Sequence, residues 1–277
     1  MSSTKGNLTE GSILKVLTKL SMPIVIAAFF STAYSITDMA WIGKLGGEIV
    51  AGVGTGGMYV WLSSGHIALS RMGGQILVAQ ELGRGDRNAA IKYAAETIRL
   101  TILSGILFGA ICLIFTNALV GFYELNSVAA IESAKVYIKI VCGLIIFSYM
   151  GQVLTGLFTA QGDSKTPMIA NFIGLSANMI LDPLLIFGVG PIKGLGAAGA
   201  SIATVSAQMI VVAVMLIHVI KDKNGHNILK EVKTIKALKF SFLPQIVDYD
   251  NDGKFIVTKE VEGERLSYIL QTDPHEK

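Results

Sequence analysis

Charged residues are scarce in this sequence. Only 16% of its 277 residues are Asp, Glu, Lys or Arg, whereas 52% are hydrophobic. An ordinary soluble domain carries about 25% charged residues, so this composition excludes that class and predicts a protein embedded in a lipid bilayer. The net charge is only +3, and we expect no nucleic acid partner.

Cysteine is nearly absent as well. Cys112 and Cys142 both fall inside long apolar stretches, where we expect them to pack as small apolar side chains and to form neither a disulfide nor a metal site. The chain starts with a polar stretch and its first apolar run is too long for a signal-peptide core, so no cleavable signal is expected. Short connections leave no room for a soluble catalytic domain, so we expect neither an enzyme nor an organic cofactor.

Six apolar segments dominate residues 1–239. Each is about 20 residues long, which is enough for a helix to cross roughly 30 Å of hydrocarbon. The sequence therefore predicts an all-α integral membrane protein with six transmembrane helices. The predicted spans are Leu20–Ile42, Ile49–Leu69, Ile98–Phe122, Ile140–Ala160, Pro167–Phe187 and Gly194–Ile220.

Basic residues cluster in alternate connections. They precede the first predicted span and follow the second, fourth and sixth, and they are fewer on the opposite side. By the positive-inside rule, both ends of the six-span region are expected to be cytoplasmic, in agreement with an even number of spans. The expected location is therefore the cytoplasmic membrane. The basic residues of the expected cytoplasmic side are Lys5, Lys15, Lys19, Arg84, Arg87, Lys92, Lys165, Lys221, Lys223, Lys230, Lys233, Lys236 and Lys239.

Two acidic residues stand in segments that should hold none. Asp38 lies near the end of the first predicted span, and Asp182 lies inside the fifth. An ionised carboxylate near the bilayer centre costs roughly 2.5–3.5 kcal/mol on insertion scales. Such a residue commonly serves a cation, a proton or a substrate, so we predict a transport site, with a wetted helix end as the alternative for each acid.

Asn178 and Asp182 are four residues apart and share one face of a helix. Pro183 lacks an N–H, so the carbonyl of Met179 loses its helical partner. A carboxylate, an amide oxygen and an unpaired carbonyl suit Na⁺ as a ligand. Burial and a second nearby carboxylate would equally favour a bound proton, so both coupling ions stay open.

The first two predicted spans add further candidates. Tyr34 and Asp38 repeat the four-residue spacing, and Pro23 offers a bend in the same helix. Arg71 follows the second span, where it either faces a polar cavity or extends to the membrane interface. His66 is a weaker candidate for the same cavity.

Residues 240–277 form a polar tail of different character and unknown origin. Apolar and polar residues mix around Asp252-Gly253, which is typical of a β-hairpin. The start of a calcium-binding EF-hand loop is also matched, by Asp248, Asp250, Asp252 and Gly253. However, Lys259 stands at the twelfth position where a bidentate Glu is needed, so calcium is not expected.

Four motifs occur in order: ITDMAWIGKLG at 36–46, VAQELGRGD at 78–86, QGDSKTPM at 161–168 and NMILDP at 178–183. Together they resemble successive motifs of the multidrug and toxic compound extrusion (MATE) family, and the resemblance covers about Thr9 to Lys239. It implies a cation-coupled antiporter with two six-helix lobes that exports organic, often cationic, drugs and other xenobiotics in exchange for Na⁺ or H⁺.

The resemblance also implies roles for particular residues. Asp38, Asn178 and Asp182 match the family's cation site in the amino-terminal lobe, and Thr204 matches a Thr on the sixth helix. Tyr34 lies nearby, Pro23 matches the proline associated with bending of the first helix, and Arg71 stays a possible supporting residue. The residues implied to bind Na⁺, if Na⁺ is the ion, are Asp38, Asn178 and Asp182.

The sequence departs from the family in its span count. The family has twelve spans, whereas six are predicted here, so residues 1–239 are expected to form the amino-terminal lobe alone. A single lobe is not expected to transport unless it pairs with a second copy or a separate partner. The alternatives are a non-transporting fragment or subunit and, remotely, a rhomboid-like intramembrane serine protease that uses Ser64 and His218.

Overall fold

The computed structural model describes residues 13–189, 192–221, 227–232, 248–249 and 255–256. It is a bundle of long helices, as the composition predicts. A π-helical segment, Ile138–Cys142, lies between two of them, and a 3₁₀ segment, Ile228–Glu231, follows the last. The helices are α1 (Ile13–Gly43), α2 (Gly47–Arg84), α3 (Arg87–Ile114), α4 (Thr116–Gly121), α5 (Val128–Tyr137), α6 (Ile145–Ala160), α7 (Lys165–Phe187) and α8 (Ala197–Lys221).

Two pairs of very short strands accompany the helices. Strands β1 (Gly188–Val189) and β2 (Ile192–Lys193) pair antiparallel at the turn between α7 and α8. Strands β3 (Asp248–Tyr249) and β4 (Phe255–Ile256) also pair antiparallel. Asp252, Gly253 and Lys259 lie outside the described residues, so the predicted hairpin of the tail stays a prediction.

Three described helices are long and apolar enough to cross a membrane, namely α3, α7 and α8. The stretch Val128–Cys142 and helix α6 would form a fourth span if they are counted together, with a bend of 48° between them. Helices α1 and α2 overlap the first two predicted spans. The predicted count of six spans therefore stays a prediction, while several membrane-spanning helices are established.

Two predicted spans run across breaks in the helices. The third was expected to continue to Phe122, but α3 ends at Ile114 and α4 begins at Thr116. The fourth was expected to be continuous from Ile140, but the π-helical segment ends at Cys142 and α6 begins at Ile145. Apolar composition reports the environment of a segment and not the continuity of its helix, because a π turn changes the hydrogen-bond spacing without changing polarity.

One end of the bundle gathers the connections after α2, α6 and α8. The 3₁₀ segment packs there, with Ile228 and Leu229 in the main apolar core. The backbone N–H of Ile228 donates to Oε1 of Gln161 at 2.9 Å, and Arg87 pairs with Glu231. These are connections that the charge pattern assigns to one side, whereas their cytoplasmic orientation stays a prediction.

Helices α7 and α8 are antiparallel and approach closely through glycines. A side chain at Gly199 would collide with the backbone carbonyl of Leu185, and one at Gly174 would collide with Val211. The small residues at these positions therefore let the two helices pack closely. Cys112 and Cys142 are buried in one apolar cluster without a disulfide, so their predicted packing role is confirmed.

Candidate functional site

The ends of α1 and α7 pack side by side and bring two acids to the same level. Trp41 of α1 makes an edge contact with Phe187 of α7, with ring centroids 6.1 Å apart. Asp38 lies three residues before Trp41, and Asp182 lies five residues before Phe187. As a result, the carboxyl groups of Asp38 and Asp182 lie close enough to interact electrostatically. With Asn178, one turn earlier on α7, they form what we call the acid site.

The acid site is buried, and most of its polar atoms lack partners. Asn178 and Asp182 are each 0% exposed. Oδ1 of Asp38, both carboxylate oxygens of Asp182 and both polar atoms of the Asn178 amide have no hydrogen-bond partner in the described part of the chain. Each such atom costs about 1–3 kcal/mol when it stays unpaired. A cation bound by these oxygens, or a proton shared by the two carboxyls, would remove much of that cost.

Thr204 lies opposite the acid site on α8. Thr204 and Val211 are seven residues apart and share one face of the helix, and Val211 is the residue that faces Gly174. Because α7 and α8 are antiparallel, Thr204 stands two turns beyond Gly174, at the level of Asp182. Its hydroxyl donates to the carbonyl of Ala200 at 3.0 Å, and its oxygen can still act as a ligand.

The prolines and Tyr34 add less to the site. Helix α7 continues through Pro183 to its end, so the carbonyl of Met179 receives no N–H from residue 183. Pro23 and Tyr34 both lie in α1, but their side chains are outside the described residues. The predicted bending role of Pro23 and the predicted proximity of Tyr34 to the site therefore stay predictions.

Tyr137 is a neighbour of the acid site that the sequence did not indicate. It is the last residue of α5, and it lies close enough to Asp38 and Asp182 to interact with both electrostatically. Its ring packs where Gly56 of α2 leaves room, since a side chain at Gly56 would collide with it. The only signal in the sequence would have been a tyrosine next to an apolar span.

Arg71 faces a second polar region. It lines a cavity of about 260 Å³ between α2, α6, α7 and α8, which we call the arginine cavity. Arg71 thus lines a cavity, while its predicted supporting role stays a prediction. Gln152, Asn171 and Gln208 also line this cavity, and the sequence reasoning missed them, although an amide inside an apolar span is a usable signal.

The histidines and Ser64 have other partners. Exposed His66 lies near Phe108 and Tyr149, with ring centroids 6.2 and 6.1 Å away. Ser64 donates to the carbonyl of Val60 at 3.1 Å. His218 lies 3.3 Å from the hydroxyl of Thr166, at the start of α7. Among the described residues, Ser64 and His218 have no contact partner in common, which gives the protease alternative no support.

Comparison with known proteins gives a consistent result. A model of the MatE family matches residues 23–184, which is more than half of the chain. The probable multidrug resistance protein NorM of Thermotoga maritima is 28% identical over 200 residues, which cover 72% of this chain and 42% of that protein. The FAD transporter of Shewanella oneidensis is 28% identical over 206 residues, with 73% and 45% covered.

Solved structures show the same likeness. A MOP superfamily transporter from Pyrococcus furiosus superimposes with a TM-score of 0.68 at 26% identity, and the match covers 78% of this chain and 47% of that one. The chain thus spans about half the length of the curated relatives and the solved structure that it matches.

Proposed function

This chain belongs to the MatE family of transporters, and from that premise we propose that it forms the cation-coupling lobe of an exporter of small organic compounds. Relatives include a multidrug resistance protein and an FAD transporter. We propose that the exported compounds include organic cations and other xenobiotics, and that the lobe works in the cell membrane.

The acid site is the observation that carries this proposal. Asp38 and Asp182 bring two carboxyl groups together from different helices, and their buried oxygens lack partners among the described residues. Packing alone gives no reason to keep two acids and an amide there, because burial of unpartnered polar atoms destabilises the bundle. Reversible binding of a coupling ion would be a reason to keep these polar groups there.

Either Na⁺ or H⁺ can fill the proposed role. For Na⁺, the oxygens of Asp38, Asn178 and Asp182 would bind the ion, with Thr204 as a further oxygen ligand. For H⁺, the two neighbouring carboxyls would share the proton. In both cases the ion removes like-charge repulsion between α1 and α7, which lets the contact between these helices change when the ion arrives.

The membrane potential can drive such a step. One elementary charge moving through the full potential is worth about 2.3 kcal/mol per 100 mV. Alternating access also requires a second helix bundle that moves against the first. We propose that a second copy of this chain or a separate partner supplies that bundle.

The test is dye export from cells that make the 277-residue chain. Ethidium efflux would be measured with and without a Na⁺ gradient, and with the proton gradient separately collapsed. The test variant carries Asp38→Asn with Asp182→Asn. The matched control carries Glu96→Gln with Glu132→Gln, which removes two acids whose side chains are 55% and 64% exposed.

We expect export that depends on one of the two gradients, that is lost in the acid-site variant and that persists in the control. Unchanged export by the acid-site variant would overturn the coupling role of these acids. No export by the unaltered chain, despite stable insertion in the membrane, would exclude a working exporter built from copies of this chain alone.

A further inference from the structure

The arginine cavity is separate from the acid site. Asn171 in the cavity and Asp182 in the acid site are eleven residues apart on α7, which is about 16 Å along the helix. The cavity has a volume of about 260 Å³. Its polar side chains come from four helices: Arg71, Ser148, Gln152, Thr155, Asn171 and Gln208.

Arg71 is held in place by contact with α6. A side chain at Gly156 would come within 3.0 Å of Cγ of Arg71 and 3.4 Å of its backbone oxygen. Glycine therefore lets the stem of Arg71 lie flat against α6. The stem of Arg71 therefore packs on α6 while the residue lines the cavity.

The guanidinium group has unused hydrogen-bonding capacity. Nε of Arg71 is buried without a hydrogen-bond partner, and no ion pair joins Arg71 to any carboxylate in the described ranges. No described Asp or Glu lines the cavity. Arg in a membrane bundle ordinarily pairs with an acid or with backbone carbonyls, so Nε of Arg71 is open to a partner from beyond the described residues.

Gln208 offers a second unpaired group in the same chamber. Its Oε1 is buried without a partner among the described residues. The two ends of a glutamine amide exchange by a simple rotation, so Gln208 can present its NH₂ donors to a ligand. Gln152 can do the same from α6. The chamber thus combines one fixed positive charge with amide donors.

We propose that the arginine cavity binds the negatively charged group of an organic ligand, a carboxylate or a phosphate ester. The planar guanidinium fork of Arg71 matches two oxygens of such a group, and the amides of Gln208 and Gln152 hydrogen-bond to its remaining lone pairs. The chamber is just below the range of about 300–1,000 Å³ typical of drug-sized ligands, so it holds the charged end of a compound.

This inference rests on the proposed function only in taking the ligand to be an exported compound. Under that proposal the lobe accepts anionic or zwitterionic compounds through Arg71, whereas the acid site receives the coupling ion. Binding at Arg71 needs neither a gradient nor a second lobe. A binding measurement therefore tests this site whether or not the chain exports anything.

The experiment measures binding of a matched pair of fluorescent probes, dansylglycine and its uncharged primary amide. The full chain is reconstituted in bilayer discs of phosphatidylcholine, and affinity is read from dansyl fluorescence. We expect the carboxylate to bind at least tenfold more tightly than the amide, and Arg71→Gln to abolish this preference. Arg71→Lys should retain part of it, since a point charge replaces the fork.

Two further variants keep the test decisive. Arg99→Gln removes a charge whose side chain is 54% exposed and paired with Glu96, and it should leave the preference unchanged. Gly156→Ala retains Arg71 but displaces its stem, so it should weaken the preference severalfold and decides the matter if Arg71→Gln fails to fold. Equal binding of both probes by the unaltered chain, or a preference that survives in Arg71→Gln, overturns the proposal.

A second arm identifies the source of the anionic group. The discs are made again with phosphatidylglycerol in place of part of the phosphatidylcholine. If this lipid displaces dansylglycine from the unaltered chain, the cavity takes a lipid headgroup. If dansylglycine binding is unchanged, the cavity takes the anionic group of a soluble compound.

Discussion

The acid site and the arginine cavity are two polar regions of one apolar bundle, and they carry opposite charge. The acid site joins Asp38 and Asp182 with an amide, close to one end of α7. The arginine cavity joins Arg71 of α2 with several amides, and one of them, Asn171, lies about 16 Å from Asp182 along α7. In both regions buried polar atoms lack partners among the described residues.

The difference shows that the charges of these two regions are kept apart, although other charges of the bundle, such as Arg87 and Glu231, are paired. A salt bridge between Arg71 and one of the two acids would give both groups a partner. Instead, Nε of Arg71 and the buried oxygens of the acids have no hydrogen-bond partner among the described residues. Such an arrangement lowers stability, and we propose that each region exchanges a small ligand of opposite sign. The following predictions test whether the two regions are independent and what links them.

The largest expected effect comes from a substitution that disturbs the acid site and leaves the arginine cavity intact. Gly199→Ala places a methyl group against the carbonyl of Leu185, one turn beyond Asp182, so α7 and α8 must move apart. We expect the free energy of unfolding in bilayer discs to fall by about 1–3 kcal/mol. The response of stability to the coupling ion should weaken, while the dansylglycine preference of the arginine cavity persists.

The control for this change is Gly65→Ala in α2, where an added methyl group meets no other atom within 4 Å. It should leave stability unchanged or raise it by up to about 1 kcal/mol, because alanine favours a helix. Equal destabilisation by both substitutions would show that the close contact at Gly199 is not what couples α8 to the acid site.

The second prediction removes the difference in charge between the two regions by adding an acid to the arginine cavity. Gln208→Glu puts a carboxylate opposite Arg71 in the arginine cavity, where it pairs with the guanidinium and occupies the place of an anionic ligand. Affinity for dansylglycine should fall at least tenfold, which is about 1.4 kcal/mol, while affinity for the uncharged amide changes little. Undiminished binding of dansylglycine would mean that Gln208 does not face the bound carboxylate.

The smallest effect measures communication between the regions. Two unit charges 16 Å apart at an effective dielectric constant of 20 interact by about 1 kcal/mol. Neutralising the acid site by Asp182→Asn should therefore increase affinity of the arginine cavity for dansylglycine by up to about fivefold. Titration of the probe against both proteins checks this, and a decrease in affinity would contradict a purely electrostatic link.

The sequence predicted the acid site better than the arginine cavity for a physical reason. An acid in an apolar span is costly enough to stand out by itself, and the four-residue spacing of Asn178 and Asp182 places both on one face. Amides such as Gln152 and Gln208 cost less and occur singly on separate helices. Their convergence depends on how the helices pack, which no local pattern specifies.

The helix breaks were unpredictable for a related reason. Phe115 and Leu144 are as apolar as their neighbours, so a hydropathy pattern runs smoothly through both positions. The π-helical segment Ile138–Cys142 directly follows Tyr137. A π turn changes the angle between the residues before it and the residues after it, so it affects the direction in which Tyr137 faces relative to α6. The proximity of Tyr137 to the two acids is therefore visible only in the folded structure.

The attachment of the 3₁₀ segment has a consequence for whatever the chain is joined to. Ile228, Leu229 and Val232 are buried in the bundle, and contacts with Gln161 and Arg87 fix the segment from two sides. The 3₁₀ segment is thus fixed to the bundle beside the start of α3. If a short flexible linker joined a second helix bundle to this segment, the effective concentration of the second bundle would be millimolar. Weak affinity between the two bundles would then be enough for them to pair.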